Sequence, residues 1–167
     1  MMDMAGFATD FSRVPPEVLA RKTAIGTAVS KAIWLHLHDD LDWNTLGEDL
    51  YGYVRAAARY LESRDSNVRW TELPFGGEAL GYACTPDVVF EDGYCEEWKC
   101  TYKVYPKVRI QLAGQALAVN PDSPGGRRVV LLKPDCGYQA TEFDDEEDIE
   151  ILKAARDVAL WRRRYDK

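Results

Sequence analysis

A single mixed α/β (α+β) domain, with a central mixed β-sheet flanked by helices and a helical pair at its N-terminus, is the fold class the sequence predicts. Three observations predict it. Two long segments of helical periodicity come first, a meander of short extended runs follows, and the chain closes as helix, two strands and helix. The 167 residues, 46% of them apolar, suffice for one sizeable core, so 1–167 is read as one domain. No internal repeat, low-complexity stretch or linker divides it.

Val14-Pro15-Pro16-Glu17 opens a helix running toward His38, with Ile25, Val29, Ala32 and Ile33 as its buried stripe. Thr45 and Glu48 stand at capping-box spacing and start a second helix to about Glu62, whose apolar face is Leu46, Leu50, Tyr53, Val54, Ala57 and Leu61. Short strands are expected at 68–73, 80–83, 86–90 and 94–101. Val108, Leu112, Ala116 and Val119 mark a helix that the loop 120–126 ends. Strands at 127–133 and 138–143 follow, joined by Pro134-Asp135-Cys136-Gly137. A helix over 145–165 closes the chain, burying Ile149, Leu152 and Ala159, with Arg162, Arg163 and Arg164 at its negative end.

No apolar run approaches the length of a membrane span, and MMDMAGFATDF lacks the layout of an export signal, so a cytoplasmic protein is expected. Cys84, Cys95, Cys100 and Cys136 are then reduced thiols, buried or half-buried, and the lack of a C-x-x-C pair argues against structural zinc. A net charge of −7 opposes tight nonspecific binding to nucleic acid, though Lys99, Lys103, Lys107 and Arg109 form a local positive stretch. The acidic runs at 39–42 and 144–148 are read as solvated surface. The five tryptophans are read as core, and His36 and His38 as surface or capping residues on different helix faces.

The chemistry-bearing segment is Pro86-Asp87, an apolar strand, Glu91-Asp92-Gly93, and Glu97-Trp98-Lys99. Alternation puts Glu97 and Lys99 on one face of their strand and Trp98 on the other. A two-residue Asp92-Gly93 turn pairs Asp87 with Trp98 and separates the carboxylates. A three-residue Glu91-Asp92-Gly93 loop, or an equivalent bulge, pairs Asp87 with Glu97 and gives Gly93 the left-handed position, and this register is the one expected. Two converging carboxylates beside an ammonium suit Mg²⁺ or Mn²⁺ and hydrolysis of a phosphodiester. Asp87, Glu97 and Lys99 are the candidate catalytic residues. Asp87 and Glu97 would hold the metal, Glu72 is the further acidic ligand, and Glu62 is a weaker choice.

Pro86-Asp87 followed by Glu97-Trp98-Lys99 resembles the PD-(D/E)XK motif, and the chain resembles the RecB-type branch of that nuclease superfamily, found in phage and prophage exonucleases. Gly26-Thr27-Ala28-Val29-Ser30 is similar to the family's G-T-x-x-H segment, with Ser30 in place of a histidine that often helps bind metal. Gln111-Leu112-Ala113-Gly114-Gln115 is similar to Q-x-x-x-Y, with Gln115 in place of tyrosine. Lys133-Pro134-Asp135-Cys136-Gly137-Tyr138 fits the closing hairpin with one inserted residue. The resemblance implies a restriction-endonuclease-like core and a Mg²⁺- or Mn²⁺-dependent deoxyribonuclease, an exonuclease of recombination or repair, in a bacterial host cytoplasm. DNA is the partner, with a homo-oligomer or a recombination protein as further partners and no membrane. Gln111, Tyr102, Lys103 and Lys107 are the substrate-binding candidates, and Tyr105 pairs with Tyr102 as a possible stacking surface. Arg127 and Arg128 either belong to a phosphate track or simply charge a strand end, the latter preferred. The losses at Ser30 and Gln115 motivate the rival reading, a weak or inactive nuclease fold that binds DNA or a protein.

Overall fold

The computed structural model of the chain describes residues 10–77 and 80–165; nearly all of the segment read for an export signal lies outside them. The described elements are α1 (Pro16–Leu37), α2 (Glu48–Glu62), β1 (Val68–Thr71), β2 (Phe75–Gly77), β3 (Tyr82–Cys84), β4 (Val88–Phe90), β5 (Cys95–Lys99), α3 (Pro106–Val119), β6 (Arg127–Leu132), β7 (Tyr138–Phe143) and α4 (Glu147–Tyr165). Five strands form one sheet in the order β1-β4-β5-β6-β7. β5 and β6 run parallel, and the other neighbours run antiparallel. Only the parallel pair needs a crossover, and α3 supplies it. β2 and β3 pair separately over α3, where the Tyr82 hydroxyl donates to the Gly114 carbonyl at 2.9 Å. The expected class, a mixed sheet flanked by helices, is the one found.

Period-two alternation divides the strand residues between two cores. Val88, Phe90, Trp98, Val130 and Leu132 face α1 and α2, packing with Val29, Ile33, Val54 and Ala57. Val89, Cys95, Val129 and Leu131 face α3, packing with Val108, Leu112 and Ala116. α2 meets the β6–β7 turn so closely that a Cβ built on Gly52 would lie 1.8 Å from the Pro134 carbonyl oxygen. Among the described residues no helix is long and apolar enough to cross a membrane.

Several sequence expectations need correction. The capping box at Thr45 does not form, because Leu46 and Gly47 are extended and α2 starts at Glu48. Instead Asp42 Oδ1 accepts the Asn44 N–H at 2.9 Å and caps a short 3-10 turn, Trp43–Thr45. β2 lies between the expected strands at 68–73 and 80–83. Asp148 is 3% exposed rather than solvated, because Arg127 and Arg109 both ion-pair with it at 3.1 Å. Arg127 and Arg128 form neither a phosphate track nor a free strand end; both are buried against carboxylates, Arg128 on Glu96 at 2.7 Å. Trp161 and Trp34 are exposed, as each falls beside the buried stripe of its helix rather than on it.

Candidate active site

β4 and β5 pair with Val88 opposite Glu96 and Val89 opposite Cys95, a register that one further step carries to Asp87 opposite Glu97. Glu91-Asp92-Gly93 forms the three-residue connection, closed by Phe90 N–H to Tyr94 O at 2.9 Å and Gly93 N–H to Phe90 O at 3.0 Å. Gly93 takes φ +88, the left-handed region that favours glycine. Of the two registers open to the sequence, the chain adopts the one that turns both carboxylates to the same face.

The adjacent glutamates separate by alternation. Glu96 turns into the α2 core, where Tyr60 and Arg128 each donate to it at 2.7 Å and Trp98 Nε1 at 3.2 Å. Glu97 turns toward α3 and is 3% exposed. Lys99 Nζ donates to its Oε1, and Gln115 Nε2 donates to its Oε2 at 2.8 Å. Asp87 Oδ2 accepts the backbone N–H of Trp98 at 2.7 Å.

Burial, then the negative charge of Glu97, pushes the Asp87 carboxyl up to about 7, against the opposing pull of Lys99 and the Trp98 N–H, with Glu72 adding to the rise. Burial alone would lower Lys99, but Glu97 and Asp87 outweigh it and hold the ammonium above its ordinary value. Lys99 is therefore a cation. Glu72 has φ +47, a conformation that strains a non-glycine residue, and its N–H donates to the Asp87 carbonyl at 3.2 Å. Its Oε1 accepts the Ser30 hydroxyl at 3.1 Å, which ties α1 to the acidic group.

Asp87, Glu72 and Lys99 open onto a cleft of about 1010 Å³ whose other wall is α1, with Lys22, Ser30 and Trp34 on it. Glu97 lies beneath its floor. Among the described residues no group of three or more His, Cys, Asp or Glu comes together to hold a metal, so Glu72 does not close a three-carboxylate cluster with Asp87 and Glu97. The thiols are free, as expected, and burial pushes Cys84 and Cys100 up to about 11 and Cys95 up to about 12. Cys84, Cys95 and Cys100 are therefore held in the thiol form near neutral pH.

The fold is shared with an alkaline exonuclease. LHK-Exo from Laribacter hongkongensis matches the chain with a TM-score of 0.54 and 19% identity over 66% of this chain and 64% of that one. LHK-Exo in complex with dAMP matches with a TM-score of 0.54 and 18% identity over 84% of this chain and 80% of that one. The first match thus spans less than two thirds of the exonuclease's length. No family model and no curated protein sequence matches the chain.

On this fold, Tyr102 and Lys103 lie in the exposed loop between β5 and α3, and Tyr102 and Tyr105 line the cleft. Lys103 Nζ stands 5.7 Å from the Tyr102 ring and 5.0 Å from the Tyr105 ring. Lys107 is half-buried in the first turn of α3, outside the cleft lining. Arg109 is committed to Asp145 and Asp148. Gln111 is half-buried one turn before Gln115 and does not line the cleft; the glutamine that reaches a carboxylate is Gln115. Glu62 pairs with Arg55 at 3.5 Å on the surface. Neither histidine lines the cleft; His36 packs edge-on against Trp43, and His38 caps α1, bonding to Trp34 O at 2.7 Å. Sequence reasoning overlooked Lys22 and placed Lys133 only in the closing hairpin, yet both are on the cleft wall. Gln115 did carry a signal: it falls between Leu112 and Val119 on the apolar stripe of α3, where a polar residue needs a partner.

Proposed function

We propose that the chain is a Mg²⁺- or Mn²⁺-dependent deoxyribonuclease of the PD-(D/E)XK superfamily, an exonuclease of recombination or repair. The observation that carries this reading is the β4–β5 register, which brings Asp87 and Lys99 on a cleft together with the buried Glu97. The likeness to an alkaline exonuclease supports it at the level of the fold.

The donor set fits a hard cation that keeps most of its waters: Asp87 and Glu97 would hold it, since one or two carboxylates suffice for Mg²⁺. When bound, such an ion supplies Lewis acidity toward the phosphate and the attacking water. Lys99, charged and facing the cleft, orients the scissile phosphate and stabilises negative charge that grows on it during hydrolysis. Glu72, held by Ser30, is the further acid at the same rim. Tyr102, Tyr105 and Lys103 form an aromatic and cationic lip suited to an incoming strand, with stacking on the rings and charge for the backbone. Lys22 and Lys133 add positive charge to the cleft of an otherwise acidic chain.

A noncatalytic DNA-binding or protein-binding role draws on one observation: both Glu97 oxygens are already engaged by side chains of the chain itself. Cleavage of end-labelled linear and closed circular DNA in Mg²⁺, Mn²⁺ or EDTA separates the two. Metal-dependent loss of linear DNA alone is the expected result, and no cleavage by the folded protein favours the noncatalytic role.

A further inference from the structure

Gln115 is 1% exposed on α3, among the fully buried Leu112, Ala113 and Ala116. Its amide nitrogen donates to Glu97 Oε2 at 2.8 Å, while its own Oε1 is buried without a hydrogen-bond partner. A buried acceptor that lacks a donor destabilises the fold, and an apolar side chain of equal length would avoid that penalty. What the amide supplies and an apolar residue cannot is one donor aimed at the carboxylate. With Lys99 on Oε1 and Gln115 on Oε2, Glu97 is fixed from two sides, one by a charged group at the cleft and one by a neutral group beneath it.

We infer that Gln115 is a positioning residue that holds the Glu97 carboxylate in the orientation that receives a divalent cation. It acts through Glu97 and touches neither cation nor DNA. The inference rests on the nuclease reading above and gives the residue at the departed tyrosine position a role of its own. Hydrogen-bond partners of ligating carboxylates change metal affinity or activity by about 10–100-fold when removed.

The test is Mn²⁺ binding to the full chain by titration calorimetry, read beside the melting temperature. Gln115→Met keeps the side-chain length and removes the donor and the unpartnered acceptor together. Mn²⁺ affinity is expected to fall about 10–100-fold and DNA turnover with it, at unchanged KM. The melting temperature is expected to move by only a few degrees, because loss of the Glu97 bond and relief of the unpartnered oxygen oppose each other. Gln115→Asn, which withdraws the amide by one methylene, should lose affinity similarly and carries the test if the methionine variant does not fold. Wild-type affinity within about twofold in either folded variant overturns the role of Gln115 alone. Absence of Mn²⁺ binding by the wild-type chain overturns the nuclease reading and this inference with it.

Discussion

The Asp87 carboxylate accepts the Trp98 backbone N–H at 2.7 Å, which ties the acid at the start of β4 to the strand that carries Glu97 and Lys99. Strand pairing and site assembly are therefore one event. The bond holds the Asp87 carboxyl down, but burial and the charge of Glu97 outweigh it, so Asp87 is a group through which pH reaches stability.

Asp87 titrates at about 7 in the folded chain, above its ordinary value of 3.8. Between those values the folded chain holds a proton that the unfolded chain has released, so its contribution to stability falls as pH rises and levels off above about 7. In EDTA, thermal unfolding should occur at a higher temperature near pH 5 than near pH 8, by a few degrees more in wild type than in Asp87→Asn. Added Mn²⁺ should stabilise increasingly through the same window, because it binds the deprotonated carboxylate.

Adjacent residues should fail in opposite ways. Glu96→Ala leaves the buried Arg128 with only the exposed Glu142 carboxylate and should destabilise by about 3 kcal/mol in urea unfolding. Glu97→Ala should abolish metal-dependent cleavage while the α2-facing core, packed on the other side of β5, stays intact.

Which of these two glutamates shares a face with Lys99 was legible in the sequence from Glu-x-Lys alternation, whereas the turn left two registers of β4 on β5 open and the structure adopts the three-residue one. Helix periodicity likewise located α1, α2, α3 and α4 to within a few residues. The partners of buried charge were not legible, since Arg127 meets Asp148 and Arg128 meets Glu96 only through the parallel β5–β6 pairing and the packing of α4. For the same reason Gln115 read as a departure from a pattern, although its position on the stripe points it at Glu97.

Gly52→Ala would drive a methyl group into the Pro134 carbonyl at the turn beside the cleft. Overpacking of this kind should destabilise the chain by about 1–3 kcal/mol, measured by urea unfolding.

Tyr102→Ala removes an aromatic ring that is 84% exposed and has no share in the core. Stability should be unchanged, while binding of single-stranded DNA weakens by about 1–3 kcal/mol in fluorescence titration. Lys103→Ala should make the remaining binding less sensitive to salt.

The most direct test of the central claim is the initial rate of hydrolysis of linear DNA in Mg²⁺ by wild type and by Lys99→Met, with folding checked for both. The predicted result is cleavage by wild type and a loss of about 10²–10³-fold in the variant. Equal rates in the two proteins, or no cleavage by folded wild type in Mg²⁺ or Mn²⁺, would contradict it.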